Sequence, residues 1–385
     1  MKALSSVAVR RSSFIVTYWN GGRHCVECYL THVRRECDPS LLEILELANE
    51  WTGRSRICAA LDPDGVRGIA TLIEELVGEG FLDSADQPRA PAAQQLDRWS
   101  AWSPSASFFH AASAWVSPKP ARTWVRAPGG LSLMRPMPPS LKKYADANRT
   151  LLPSFARDGE LADVLSARRT WRAFGDRPIA LQELSMLLGA TFAVRRWMDV
   201  GEREWVALKS SPSGGARHSI EAYVVARRVD GLASGIYHYD PDEHVLTTLC
   251  DEDPRELLAT SMPTQPCFHD CAALVVMTSV FARMQWKYSH PHAYRVVFLD
   301  AGHLSQTFLL TATALGLAPF CTAAIDARVI ESRLGIDGVS EAVLHAVGVG
   351  ARPSGIHPAD TPGEPGAATR EPSWARIFDQ PPSRA

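Results

Sequence analysis

The sequence predicts an α+β chain made of a small helical module followed by a larger mixed unit. Three observations carry this. Between Leu41 and Val77, three short runs place apolar residues at helical spacing. From about residue 151 to 350, strand-like runs such as Ala222-Tyr223-Val224-Val225-Ala226 and Ala273-Leu274-Val275-Val276-Met277 alternate with helical patterns. The length, 385 residues, exceeds what one ordinary core encloses, so two units are expected.

Taken in order, Phe14 to Tyr18 is a strand, and Asn20-Gly21-Gly22 is a turn. Asp38 and Ser40 are candidate caps for a first helix whose buried face is Leu41, Leu42, Ile44, Leu45 and Leu47. Arg56 to Leu61 forms a second. Asp62-Pro63-Asp64 opens a third, with Val66, Ile69, Leu72, Ile73, Leu76 and Val77 at helical spacing. Gly78 and Gly80 end it, and Phe81-Leu82 begins a strand. Residues 1–83 are therefore expected to form a winged-helix-like module, a shape that by itself assigns no role. Residues 84–150 are rich in proline, alanine and serine and predict an irregular connector. Its Trp99, Trp102, Trp115 and Trp124 predict packing against the rest of the chain, since free linkers are poor in aromatics. The mixed unit covers 151–353 and contains a long helix from Tyr294 to Leu315. Residues 354–385 are a Pro/Gly-rich tail.

Composition excludes some classes. The formal net charge is −2, from 40 basic and 42 acidic residues, and no basic tail is present, so no nucleic acid partner is expected. After Arg10 and Arg11 there is only a short strand-like run, which argues against a secretory signal. Leu304 to Leu317 is too short for a membrane span and is interrupted by Gln306 and threonines. The expectation is a cytoplasmic protein with no membrane partner. The eight cysteines do not look like a disulfide framework in a chain of this length. His24, Cys25, Cys28, His32 and Cys37 form one cluster, and Cys267, His269 and Cys271 another. The first lacks a second Cys-x-x-Cys and the second offers three ligands where structural zinc takes four, so no metal is expected.

Four ordered strings bear on chemistry. In Arg168-Arg169-Thr170-Trp171-Arg172, guanidinium forks and a hydroxyl suit phosphate oxygens; the bland reading is a solvated basic helix end. In Ser210-Ser211-Pro212-Ser213-Gly214-Gly215-Ala216, small residues let backbone amides approach a planar ring; the bland reading is a surface turn. Phe281 to Tyr288 ends in a Lys287-Tyr288 pair, which in isolation is a surface lysine beside a packed tyrosine. Tyr294-Arg295, Asp300-Ala301-Gly302-His303 and Gln306 follow it. Cys321 to Asp326 and Gly348-Val349-Gly350-Ala351-Arg352-Pro353 close the series.

In this order, and with Gly235-Ile236-Tyr237-His238-Tyr239-Asp240-Pro241 between them, the strings resemble nitroreductase-like flavoproteins, most of all SagB-type dehydrogenases. The resemblance covers residues 151–353 well and the first module loosely, as a helical unit of the kind that holds a leader peptide. It implies a nitroreductase-like domain binding FMN. Arg168, Arg169, Thr170 and Arg172 would hold its phosphate and polar edge. Pro212, Ser213, Gly214 and Gly215 would lie along its ring, with Gly348, Gly350 and Arg352 near its phosphate. Ala323 and Ala324 stand where the family has glycines.

The resemblance assigns catalysis to Lys287 and Tyr288. It implies an FMN-dependent oxidoreductase that oxidises azoline rings to azoles in a ribosomally made peptide. Its partners would be a precursor peptide and a cyclodehydratase, and it would be a homodimer with the 294–315 helix as central contact. On this reading, burial beside Trp286 and the charge of Arg283 would depress the pKa of Lys287 and make it a base. Two alternatives stand beside it. One is a flavin-dependent ene, nitro or dehydroamino-acid reductase. The other is a non-catalytic peptide- or DNA-binding protein with a degenerate flavin fold.

Overall fold

The computed structural model describes residues 7–114, 159–201 and 204–355. The chain opens with β1 (Ala8–Arg11), the hairpin β2 (Ile15–Asn20) and β3 (Arg23–Cys28), and then β4 (Val33–Glu36). Gly21 and Gly22 make the hairpin turn with φ of 57° and 86°, conformations glycine adopts without steric cost. Helices α1 (Pro39–Leu47), α2 (Arg54–Leu61) and α3 (Ile69–Gly78) follow, with β5 (Thr52–Gly53) before α2 and β6 (Leu82–Ser84) after α3. Asp38 caps α1 by accepting from the Leu41 N–H at 2.9 Å.

The third helix starts later than the apolar spacing predicts. Gly65 and Gly68 take positive φ, and the Asp62 carboxylate accepts from the backbone of Arg67 and Ile69 instead, so Val66 stays outside and is exposed. The helices pack on Val9, Val26 and Phe81 in a core of their own. β1 pairs antiparallel with both β5 and β6.

Residues expected to be irregular instead form α4 (Pro91–Leu96), a 3-10 turn over Asp97–Trp102, and α5 (Ser103–Ala114). The low apolar periodicity of this stretch hid the helices, while its tryptophans marked where they pack. Trp99 and Trp102 are fully buried and donate to the carbonyls of Val339 and Tyr288. Phe14 and Tyr29 of the first module enter the same core, and the Tyr29 hydroxyl meets Ser107 at 3.1 Å. Trp115, Trp124, residues 151–158 and nearly all of the 354–385 tail lie outside the described residues.

The mixed unit begins with α6 (Glu160–Ala167), β7 (Ile179–Ala180) and α7 (Leu181–Phe192). The hairpin β8 (Arg196–Gly201) and β9 (Glu204–Leu208) follows, then β10 (Ile220–Ala226), β11 (Val229–Asp230), β12 (Gly235–Asp240), β13 (Val245–Cys250) and α8 (Arg255–Ser261). Last come β14 (Ala273–Val280), α9 (Phe281–Lys287), the 22-residue α10 (Ala293–Ala314), β15 (Ala318–Thr322), α11 (Ala327–Leu334) and β16 (Glu341–Gly350).

Six strands form one sheet in the order β13-β12-β10-β14-β16-β15, with antiparallel neighbours throughout. β14 is central and has both faces covered, which is why its sequence is a continuous apolar run rather than an alternating one. Its side chains still alternate between two cores. Ala273, Val275 and Met277 face the core shared with α7, α9 and α10, while Leu274 and Val276 face the core under α8 and α11. Among the described residues no helix is long and apolar enough to cross a membrane, and no three His, Cys, Asp or Glu side chains are grouped to hold a metal.

Candidate functional site

The segment from Ser210 to Ala216 leaves β9 and turns through a short 3-10 element into β10. Its anchor is Asp300 on α10. This buried carboxylate accepts from the Ser213 hydroxyl at 2.5 Å and the Gly214 N–H at 3.2 Å. Burial pushes the Asp300 carboxyl up, against the two donors, which pull it down. The Ser213 oxygen in turn accepts from the His218 N–H, and Ser211 meets Thr307 of α10 at 2.7 Å. The loop is thus tied to one face of a long helix, with the exposed Pro212 at its turn.

Gly214 and Gly215 are required by space. A Cβ on Gly214 would stand 2.5 Å from the Val296 side chain. Gly215 has φ of 59°, and a Cβ there would stand 2.7 Å from both Lys287 Cδ and the Tyr288 hydroxyl. Lys287 Nζ lies 3.4 Å from the Gly215 carbonyl. The structure therefore brings Lys287 and Tyr288 onto Gly215. Trp102 fixes the pair from behind by donating to the Tyr288 carbonyl at 2.8 Å.

The surroundings of Lys287 differ from the sequence-based expectation. Its side chain and that of Trp286 are exposed, and Arg283 points to Glu221 and to the His218 carbonyl. The desolvation expected for Lys287 is not supplied by this chain on its own.

The arginine string lies elsewhere. Trp171 is buried, and its N–H donates to the Pro319 carbonyl at the start of β15. Arg168 and Thr170 are half-buried; Arg169 and Arg172 are exposed. Among the described residues no ion pair engages Arg168, Arg169 or Arg172, so this donor set is free for an anionic group. Arg352 meets it from the other side, stacked over Trp171 at 5.5 Å.

That guanidinium is already in use: it donates to the carbonyls of Leu317 and Thr313, beyond and within the last turn of α10. Gly348 and Gly350 are likewise engaged. A Cβ on Gly348 would stand 2.2 Å from the Phe320 ring, and one on Gly350 2.7 Å from Phe174. These three residues, read from the sequence as phosphate neighbours, also have structural contacts here: Arg352 with the end of α10, and Gly348 and Gly350 of β16 with Phe320 and Phe174.

The two groups are stations along α10. Asp300 holds the glycine loop, and Thr313 lies beside the arginine string. The thirteen-residue step from one to the other spans about 20 Å of helix. Ala323 and Ala324 border a cavity of about 440 Å³ with Phe109, Tyr294 and Phe298.

A second cluster, absent from the sequence-based set, lies beside the loop. Glu221 of β10 accepts from His238 of β12 at 2.7 Å and pairs with Arg283 of α9. Burial opposes its charge, but these partners outweigh burial and hold its pKa below the usual carboxylate range. The hydrogen bond to Glu221 raises the pKa of His238. Beside them burial pulls Lys209 down to about 8 and His218 down to about 4. The available clue was that Glu221 and His238 interrupt otherwise largely apolar strands.

The six-stranded antiparallel sheet, the helix carrying the glycine loop and the free arginine set define an oxidoreductase fold of the flavoprotein type. The chain belongs to the nitroreductase family, whose model matches residues 165–351. It is 32% identical over 158 residues to a protein named as a nitroreductase in Methanocaldococcus jannaschii, a match covering 41% of this chain and 75% of that one. It is 31% identical over 151 residues to the trifolitoxin-processing protein TfxB of Rhizobium leguminosarum bv. trifolii, covering 36% of this chain but 38% of TfxB. Among solved structures, the Escherichia coli microcin synthetase McbBCD complex with truncated pro-MccB17 bound is similar at 19% identity and a TM-score of 0.43, covering 66% of this chain and 96% of that one.

Proposed function

We propose that this protein is an FMN-dependent dehydrogenase that oxidises thiazoline or oxazoline rings to azoles in a ribosomally made precursor peptide. In this reading it is of the SagB type and works in the cytoplasm as a homodimer beside the cyclodehydratase that makes the rings. The observation that carries the proposal is the convergence of Lys287 and Tyr288 on Gly215. Two proton-moving groups stand there against a loop of small residues. The match to TfxB, a toxin-processing protein, supports a peptide substrate.

The residues fit FMN at both stations. Arg168, Arg169, Thr170 and Arg172 are donors without internal ion-pair partners, suited to a phosphate. Pro212, Ser213, Gly214 and Gly215 offer a small-residue surface to the ring. When bound, FMN supplies the two-electron acceptor that takes hydride from the azoline carbon. Lys287 Nζ takes the proton from the carbon beside the carbonyl, and the Tyr288 hydroxyl relays it towards solvent. A second chain covering the α9–α10 face would shield Lys287 from water.

The test is mass spectrometry of a precursor peptide incubated with its cyclodehydratase and this protein. Oxidation of each ring appears as a loss of two hydrogens. Lys287→Ala and Tyr288→Phe should abolish that loss while flavin absorbance remains, and Arg168→Ala should release flavin. Ring oxidation by Lys287→Ala would refute the assigned base. Chromatography of heat-released cofactor should show FMN. Light scattering should give twice the chain mass, and a flavin-loaded monomer would refute the dimer.

A further inference from the structure

A pocket of about 620 Å³ opens between the β8–β9 hairpin and α9, beside the glycine loop. Its walls are three indoles, Trp197, Trp205 and Trp286, which are 46%, 57% and 64% exposed. Its floor holds Lys209, His218 and the Glu221–His238–Arg283 group. We propose that this pocket is a substrate subsite for a planar heteroaromatic ring carrying a carbonyl oxygen, with Lys209 donating to that oxygen. An azole that the enzyme has already formed, still joined to its peptide carbonyl, is such a group. The identity of that ligand rests on the azoline-oxidation reading; the binding chemistry does not.

The polar groups around the pocket single out Lys209. Glu221 is taken by His238 and Arg283. Arg217 donates to the Gly215 carbonyl and stacks over Trp286 at 4.8 Å. Asp240 accepts from the backbone of Asp242 and Glu243, and Asp242 accepts from the Trp197 indole at 2.8 Å, which fixes that wall. The His218 ring meets the Ala207 carbonyl. Among the described residues, the Lys209 ammonium makes neither a hydrogen bond nor an ion pair. A half-buried donor with no partner among the described residues, lining a pocket of ligand size under exposed aromatic walls, is placed to meet an acceptor brought in from outside.

The walls specify the shape of that ligand. Exposed indoles stack best on flat π-systems, so an aromatic azole is favoured over its puckered azoline precursor. The position specifies its connection. Trp286 precedes Lys287 in the chain and Ala216 follows Gly215, so the rim of the pocket borders the proposed reaction point. A peptide reaching Lys287 with one ring can place a neighbouring, finished ring here.

Isothermal titration calorimetry of the full-length protein with thiazole-4-carboxamide tests this. Wild type should bind it more tightly than thiazoline-4-carboxamide, which lacks the flat ring, and than thiazole, which lacks the oxygen. Lys209→Met should weaken carboxamide binding about tenfold, the equivalent of about 1.4 kcal/mol for one lost charge-assisted hydrogen bond. Trp205→Leu should weaken it without touching the floor. Equal binding by wild type and Lys209→Met, or no discrimination between the flat and puckered rings, would overturn the proposal. So would a Trp197→Ser, Trp205→Ser double variant that binds the probe normally but changes from dimer to monomer, since the indoles would then belong to a chain–chain contact. The titration requires neither flavin turnover nor a precursor peptide. Lys209-dependent binding in a protein that oxidises no ring would refute the function alone. Ring oxidation without such binding would refute the subsite alone.

Discussion

Replacing Gly215 by alanine perturbs the point where the loop meets the Lys287–Tyr288 pair. Two costs follow from the geometry. The backbone at φ of 59° is left-handed, which charges an alanine about 1–2 kcal/mol. The new Cβ would stand 2.7 Å from Lys287 Cδ and the Tyr288 hydroxyl, where ordinary contact begins at 3.4 Å, so both side chains must retreat by about 0.7 Å. Both contacts are with side-chain atoms and not with backbone, and the fold should survive. The strain should lower Tm by roughly 2–8 °C. If the pair moves protons, displacement on this scale should cost on the order of 10²-fold in turnover.

Gly335→Ala is the matched control. It has φ of 70° at the end of α11 and nothing within 4 Å of its Cβ. It should lose similar stability and no activity. Tm by calorimetry and ring oxidation by mass spectrometry, measured on both variants, separate strain from displacement. Gly215→Ala turning over at the Gly335→Ala rate would refute the reasoning that this contact positions catalytic groups.

Asp300→Ala should cost about 2–4 kcal/mol in urea unfolding, because it strands the Ser213 hydroxyl and the Gly214 N–H, while Asp300→Asn keeps an acceptor and should cost less. Arg352→Ala should lower stability by about 1–3 kcal/mol through the carbonyls of Leu317 and Thr313; a fall in flavin affinity at unchanged Tm would instead restore Arg352 to the phosphate. Acid should destabilise the fold through His110, whose burial pulls its pKa to about 4, with the hydrogen bond its ring donates to the Gly338 carbonyl opposing. The folded state keeps this ring neutral while the unfolded chain takes up a proton below about pH 6.5, so stability falls as pH drops from there towards 4 and levels off below it. His110 alone should remove about 2 kcal/mol between about pH 7 and pH 5, and His110→Gln should flatten that slope in urea titrations.

The order of the mixed unit was legible because its elements have clean periodicity. Residues 222–226 and 273–277 are strands, and the predicted helix 294–315 is observed as Ala293–Ala314. The glycine loop was legible as a run of small residues, whereas Lys287 and Tyr288 stood out only through the family resemblance and meet Gly215 only in the fold. What the sequence hid depends on packing between distant segments. Helix α5 carries Ser, Ala, Phe and His without a strong apolar stripe, so nothing local distinguishes it from a linker. Gly348 and Gly350 resemble a ligand-approach motif as a string, and only the rings of Phe320 and Phe174 reveal why side chains are excluded. Asp300 lies amid apolar helix positions and gains its meaning from Ser213, far away in sequence.

The separation of the glycine loop from the arginine string bears on how many chains make one site. Asp300, which holds the loop, and Thr313, which accepts from Arg352, are about 20 Å apart along α10, whereas in the proposed dimer antiparallel copies of α10 would bring one chain's loop towards the other's arginines. The outer stripe of α10 is suited to that contact. Phe298 and Leu299 are 42% and 60% exposed, and Gly302 beside them is an exposed glycine in the middle of a long helix. Alanine there meets nothing within 4 Å and should be preferred by about 1 kcal/mol on helix propensity. A glycine in this place makes sense where another backbone comes close. Gly302→Ala should therefore raise the helical stability of the separated chain while weakening the dimer and, with it, flavin binding. Sedimentation equilibrium and flavin titration measure the two effects. A Gly302→Ala protein that is more stable, equally dimeric and equally yellow would show that this glycine does not lie at a close chain–chain contact.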